Sequence, residues 1–133
     1  MLRLQFEHPA SREVLSVGPA PYFVVRGGEL LAGPGEEPVG HYQDGLWHAG
    51  GRSFTAVTPD APTAVRFEAN GGESCVEERG PFEHVKLIDG AIRHGPRLGR
   101  LLAKFDEGSQ SWVVYPGRKT CHTAVLAPAG AAP

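Results

Sequence analysis

Residues 19–34 (PAPYFVVRGGELLAGP) align without a gap to residues 81–96 (PFEHVKLIDGAIRHGP). The matched pairs include Pro19/Pro81, Val25/Leu87, Gly28/Gly90, Leu30/Ile92 and Gly33-Pro34/Gly95-Pro96. Upstream, Leu4-Gln5-Phe6-Glu7 meets Val65-Arg66-Phe67-Glu68, followed by Gly18 and Gly80. Downstream, Tyr42-Gln43-Asp44-Gly45 meets Phe105-Asp106-Glu107-Gly108, and Trp47 meets Trp112. Gly51-Arg52 meets Gly117-Arg118, and Thr55-Ala56-Val57 meets Thr123-Ala124-Val125. A chain that agrees with itself in order, spacing and residue type reads as a tandem duplication, with halves of roughly 1–62 and 63–126.

Two copies of one module share a backbone, and this decides an ambiguous segment. Leu98, Leu101, Leu102 and Phe105 have amphipathic-helix spacing, with Pro96 before and Gly108 after. Their counterparts between Gly35 and Asp44 contain Pro38 and Gly40 and show no such stripe. Residues 99–105 are therefore predicted to form a strand. The 18 glycines and 12 prolines among 133 residues argue the same way, because helix interiors tolerate neither.

The expected fold is all-β: internally duplicated β-meander modules forming one pseudo-twofold barrel or sandwich. It is one domain over 1–126, with 127–133 as a disordered Ala/Gly/Pro tail. Strands are predicted at 2–7, 13–17, 22–26, 29–32, 39–43, 46–49 and 52–58. Their counterparts are 64–69, 73–78, 83–88, 91–94, 99–105, 111–115 and 119–126. Gly27-Gly28, Asp44-Gly45, Gly50-Gly51 and Asp89-Gly90 supply the positive φ of two-residue hairpin turns, and Pro116-Gly117 suits a type II turn. These turns pair Tyr42 with Trp47 and Trp47 with Phe54, an aromatic cross-strand row. The second row reads Phe105, Trp112 and Cys121, with a bulge expected near Cys121-His122.

Charge excludes some functions. A net charge of −2 gives no cationic footprint for nucleic acid. Lys86, Arg93, Arg97, Arg100 and Lys104 face only Asp89 nearby and read as a solvated face or an anion-binding patch. No apolar run has the length of a signal peptide or a membrane span, so a cytoplasmic protein with no membrane partner is expected. Cys75 and Cys121 lack CxxC spacing and read as two inert half-buried thiols, with a bridge between them as the alternative.

No catalytic motif is present, so no enzyme and no cofactor are expected. His41 and His48 come together if the Asp44-Gly45 turn forms, which makes them the weak metal candidates. No third ligand is visible, and no metal is expected. His94 pairs with Val85 as a strand-end histidine. Cys121 and His122 point to opposite faces of a strand, which argues against a thiolate–imidazole pair. The twinned residues are Trp47 with Arg52 and Trp112 with Arg118. Each pair reads as core plus a surface arginine, or as a ligand contact through cation–π or carboxylate recognition. The expected function is a non-enzymatic binding module with two pseudo-equivalent sites for a glycan, polymer or protein ligand. The alternative is a structural, assembly or homo-oligomer-forming protein with no small-molecule ligand.

Overall fold

Alternation builds the strands. Leu2, Leu4 and Phe6 are fully buried, while Arg3, Gln5 and Glu7 point away from the core between them. Thr63, Val65 and Phe67 repeat the pattern against Ala64, Arg66 and Glu68. The structure, a computed structural model, describes residues 1–69, 77–97 and 99–129.

Sixteen strands and no helix occur among the described residues. They are β1 (Leu2–His8), β2 (Glu13–Ala20), β3 (Tyr22–Arg26), β4 (Glu29–Gly33), β5 (Glu37–Gln43), β6 (Leu46–Ala49), β7 (Arg52–Phe54) and β8 (Ala56–Pro59). The chain continues through β9 (Thr63–Glu68), β10 (Glu77–Phe82), β11 (Val85–Ile88), β12 (Ala91–His94), β13 (Arg100–Asp106), β14 (Ser111–Val114), β15 (Lys119–Cys121) and β16 (Thr123–Pro128). Sheet A has the order β2-β1-β8-β11-β12-β13-β14-β15, and sheet B the order β10-β9-β16-β3-β4-β5-β6-β7. Strand for strand, one order is the other advanced by eight. Each sheet takes three strands from one part of the chain and five from the other. Among the described residues no helix is long and apolar enough to cross a membrane.

The barrel alternative is corrected, because each antiparallel eight-stranded sheet ends in open edges, β2 and β15 in A and β10 and β7 in B. Both sheets feed one core, with Phe6, Leu87, Ile92 and Trp112 from A and Phe23, Leu30, Trp47 and Phe67 from B. The hairpin registers agree with the turn chemistry at three of the four two-residue turns, while at Gly27-Gly28 only Gly27 has positive φ. Asp44 and Gly45, Gly50 and Gly51, and Asp89 and Gly90 all have positive φ. His41 faces His48, Tyr42 faces Trp47, and Trp47 faces Phe54. In sheet A, Phe105 faces Trp112 and Trp112 faces Cys121. The two rows touch where Tyr42 meets the edge of Phe105, with centroids 5.7 Å apart. The segment with helical spacing is a strand, β13.

Four further expectations are corrected. The runs 52–58 and 119–126 each divide, at Thr55 and His122, because the chain leaves one sheet for the other there. Thr55 N–H donates to Glu7 O at 2.9 Å, and His122 N–H to Glu68 O at 3.1 Å. No bulge forms at Cys121-His122: pairing runs evenly from Val114↔Lys119 to Trp112↔Cys121. The extra residues sit instead in a four-residue turn at 115–118, replacing the two-residue Pro116-Gly117 turn. Finally, Ala127 and Pro128 belong to β16, paired with Ala64 and Thr63, rather than to a tail. Residues 130–133, most of the predicted strand 73–78 and Cys75 lie outside the described residues, and so does the Cys75–Cys121 alternative.

Candidate functional site

Trp47 and Trp112 are 1% and 0% exposed, so neither indole face is open to a ligand. Trp112 Nε1–H donates to Gly27 O at 3.0 Å, tying sheet A to a turn of sheet B. The indole N–H of Trp47 is buried and has no partner. Arg52 lies on β7 opposite Ala49, 3.8 Å from Glu13 and 6.0 Å from the Phe54 ring centroid. Arg118 sits in the turn with φ of 52°, and the residue opposite Val114 in the ladder is Lys119. The two arginines thus occupy different places in their hairpins.

The outer face of sheet B gathers chemistry that sequence reading did not assemble. Glu68 on β9 pairs with Thr123 on β16, Thr123 with Arg26 on β3, and Arg26 with Glu29 on β4. Glu29 then pairs with His41 on β5, His41 with His48 on β6, and His48 with Ser53 on β7. Seven polar side chains therefore stand in unbroken register across seven strands. The corresponding ladder on sheet A reads Glu7, Ala56, Ile88, Ala91, Lys104, Val113 and Thr120. Four of those seven are apolar. The match of Thr55-Ala56-Val57 to Thr123-Ala124-Val125 is thereby corrected by one residue, because Ala56 stands where Thr123 does.

Two clefts open on this face. The first, about 630 Å³, is lined by Glu68, Thr123 and Arg26 of the row. Its floor is Val24, Val125, Ala64 and Ala127, and its walls include Tyr22, Glu36, Arg66 and Glu78. Val24 faces outward from the sheet yet is only 4% exposed, as the bottom of a cleft should be. The second, about 460 Å³, is lined by Glu29, His41, His48 and Ser53, together with Arg52. The clefts abut at the Arg26–Glu29 pair, and each member of the row lines one of them.

The polar groups are ordered. Arg26 makes a bidentate pair with Glu36 at 2.6 and 3.1 Å. That hydrogen-bonded pair raises the Arg26 pKa and holds the Glu36 carboxyl below its ordinary range. Arg66 pairs with Glu68 at 2.9 Å. Exposed pairs of this kind contribute little to stability, so their effect is to fix side chains rather than to hold the fold. His48 Nε2–H donates to Gln43 O at 3.2 Å, and its Nδ1 accepts from the Ser53 hydroxyl at 3.1 Å. Both ring nitrogens of His48 are thus engaged, which leaves the stacked His41, 5.0 Å away, without a second imidazole ligand for a metal. Among the described residues no group of three or more His, Cys, Asp or Glu is arranged to hold a metal.

Elsewhere, His94 pairs with Val85 and stacks on Phe82 at 4.0 Å. Burial, with a smaller contribution from Arg100, lowers its pKa from the ordinary 6.5. The unfolded chain therefore takes up this proton first as pH falls. The stabilisation is complete above pH 6.5 and is lost as pH falls through the lowered folded value. We expect urea midpoints of the wild type to decline between neutral and mildly acidic pH, and His94→Gln to show a flatter decline. Identical pH slopes would refute this. Lys86 and Arg93 face each other on the outer face of sheet A, and Lys86 Nζ–H donates to the Arg97 carbonyl.

No family model matches the chain, and neither the curated proteins nor the solved structures give a match.

Proposed function

We propose that this chain is a non-enzymatic binding protein whose recognition surface is the outer face of sheet B. One observation carries the reading: the seven polar residues from Glu68 to Ser53 lie in continuous register, and every one lines a cleft. Cleft volumes of about 630 and 460 Å³ fall within the usual span for ligand sites, about 300–1,000 Å³. Nothing in core packing requires a polar row on an outer face.

A tandem duplication with pseudo-twofold symmetry strengthens the reading. It is supported by the matching strand orders and by shared core positions such as Phe6/Phe67, Leu30/Ile92 and Trp47/Trp112. If both halves descend from one module, most core positions have kept their character, Phe54 against Cys121 excepted, while four of the seven row positions are polar in sheet B and apolar in sheet A. Arg26 stands where sheet A has Ile88, Glu29 where it has Ala91, and His48 where it has Val113. Divergence concentrated in that row supports a function carried by one face. A single site on sheet B therefore replaces the two equivalent sites expected around the tryptophans.

The test uses amide chemical shifts and a mixed library of small polar fragments. Perturbations should gather at Arg26, Glu29, His41, His48 and Thr123. Perturbations centred on sheet A, or none at the row, would refute the proposal.

A further inference from the structure

We propose that the ligand of this face is a linear glycan without acidic groups, laid across the strands along the polar row. The inference rests on the outer face of sheet B being the recognition surface, and three observations fix the ligand class.

The first is spacing. Neighbouring strands lie about 4.7–4.9 Å apart, so the row presents one polar side chain per step over about 29 Å. A pyranose ring in an extended polysaccharide advances by close to one such step, so successive sugars meet successive side chains. An extended peptide presents same-face side chains roughly every 6.6–6.8 Å and falls out of step within a few residues.

The second is the neighbouring ladder. Beside the polar row, Pro38 pairs with Leu31, Leu31 with Val24, and Val24 with Val125. An apolar strip next to a polar one matches a sugar ring, which has a C–H face and a hydroxyl edge. Val24 and Val125 form the floor on which that C–H face rests.

The third is charge. Arg26 and Arg66 are already held by Glu36 and Glu68, and Arg52 beside the second cleft lies 3.8 Å from Glu13, so each of these cations has a carboxylate next to it. Glu29 and Glu78 make no ion pair among the described residues and serve as acceptors for hydroxyl donors. The carboxylates also repel a uronate or phosphate on the ligand.

The test is calorimetric titration of the full chain with β-1,4-linked oligomers of glucose, mannose and N-acetylglucosamine, from disaccharide to octasaccharide. Oligogalacturonides and a lysine-rich extended peptide complete the panel. For at least one neutral series, affinity should rise about tenfold or more from disaccharide to hexasaccharide and then level off, as the row fills. Glu29→Ala and His41→Ala should each weaken hexasaccharide binding by about tenfold, while Arg93→Ala on sheet A leaves it unchanged. Tighter binding of oligogalacturonide or peptide at this face overturns the inference of a neutral glycan and leaves the recognition surface standing. Length-independent affinity, or no binding of any neutral series, overturns it as well. Fragment perturbations that avoid the row would remove both readings together.

Discussion

Trp112→Ala is expected to lower stability by about 3–5 kcal/mol, which makes it among the most damaging single substitutions in this chain. The side chain is fully buried between Phe105 and Cys121, its ring centroid 5.0 Å from that of Phe105. Total stability of a domain this size is roughly 5–15 kcal/mol, so the loss would be a large share of it. Trp47→Ala should cost a similar amount, since the same row continues through Tyr42 and Phe54. The phenylalanine variants separate the two sites. Trp112→Phe removes the hydrogen bond to Gly27 O and strands a carbonyl, for about 1–3 kcal/mol. Trp47→Phe removes an N–H that has no partner, so it should be the milder change. Urea midpoints read this directly, and equal costs for the two phenylalanine variants would refute the asymmetry.

Gly18→Ala is the second large effect. Gly18 has φ of +105°, where L residues are strained, and a Cβ there would lie 2.9 Å from Leu2 O. The backbone of β1 cannot yield without disturbing Leu2 and Leu4, both fully buried. A cost of about 2–3 kcal/mol follows. Gly80 has φ of +108°, but its nearest contact, Thr63 O, is at 3.1 Å, so Gly80→Ala should cost less. Thermal or urea unfolding of the two variants side by side checks the order. Wild-type stability in Gly18→Ala would mean that this irregular stretch of β2 relaxes freely.

Much of the sheet architecture was legible because local chemistry dictates it. Asp44-Gly45 and Gly50-Gly51 accept positive φ at both turn positions, which sets the ladder from Tyr42 through Trp47 to Phe54. Comparison of the halves overrode the helical spacing of residues 98–105 correctly, because Pro38 and Gly40 forbid a helix in the partner segment. The sheet changes at Thr55 and His122 were not legible. Each depends on a hydrogen bond to a strand distant in the chain, Thr55 to Glu7 O and His122 to Glu68 O, which no local sequence pattern announces.

The polar row escaped sequence reading for a related reason. Four of its six pairings join consecutive strands, Arg26 to Glu29, Glu29 to His41, His41 to His48 and His48 to Ser53. The pairings of Glu68 with Thr123 and of Thr123 with Arg26 join segments far apart in the chain. Each residue alone looks like an ordinary surface position. A usable signal was present in the ungapped alignment of 19–34 with 81–96, where Arg26 falls on Ile88 and Glu29 on Ala91. Attention to shared residues led to Trp47 and Trp112, which are shared because the core needs them. Positions where the halves differ include four of the seven in the proposed row.

The most direct measurement uses that difference. The variant Arg26→Ile/Glu29→Ala/His41→Lys/His48→Val gives sheet B the residues found at the matching positions of sheet A. Its amide spectrum, recorded with and without the fragment library, reads fold and binding together. A recognition surface that the fold does not require predicts dispersed, native-like shifts and no fragment response at the row. An unfolded spectrum would make the row structural, and fragment perturbations that persist at wild-type strength would place the ligand elsewhere. Either result would contradict the account.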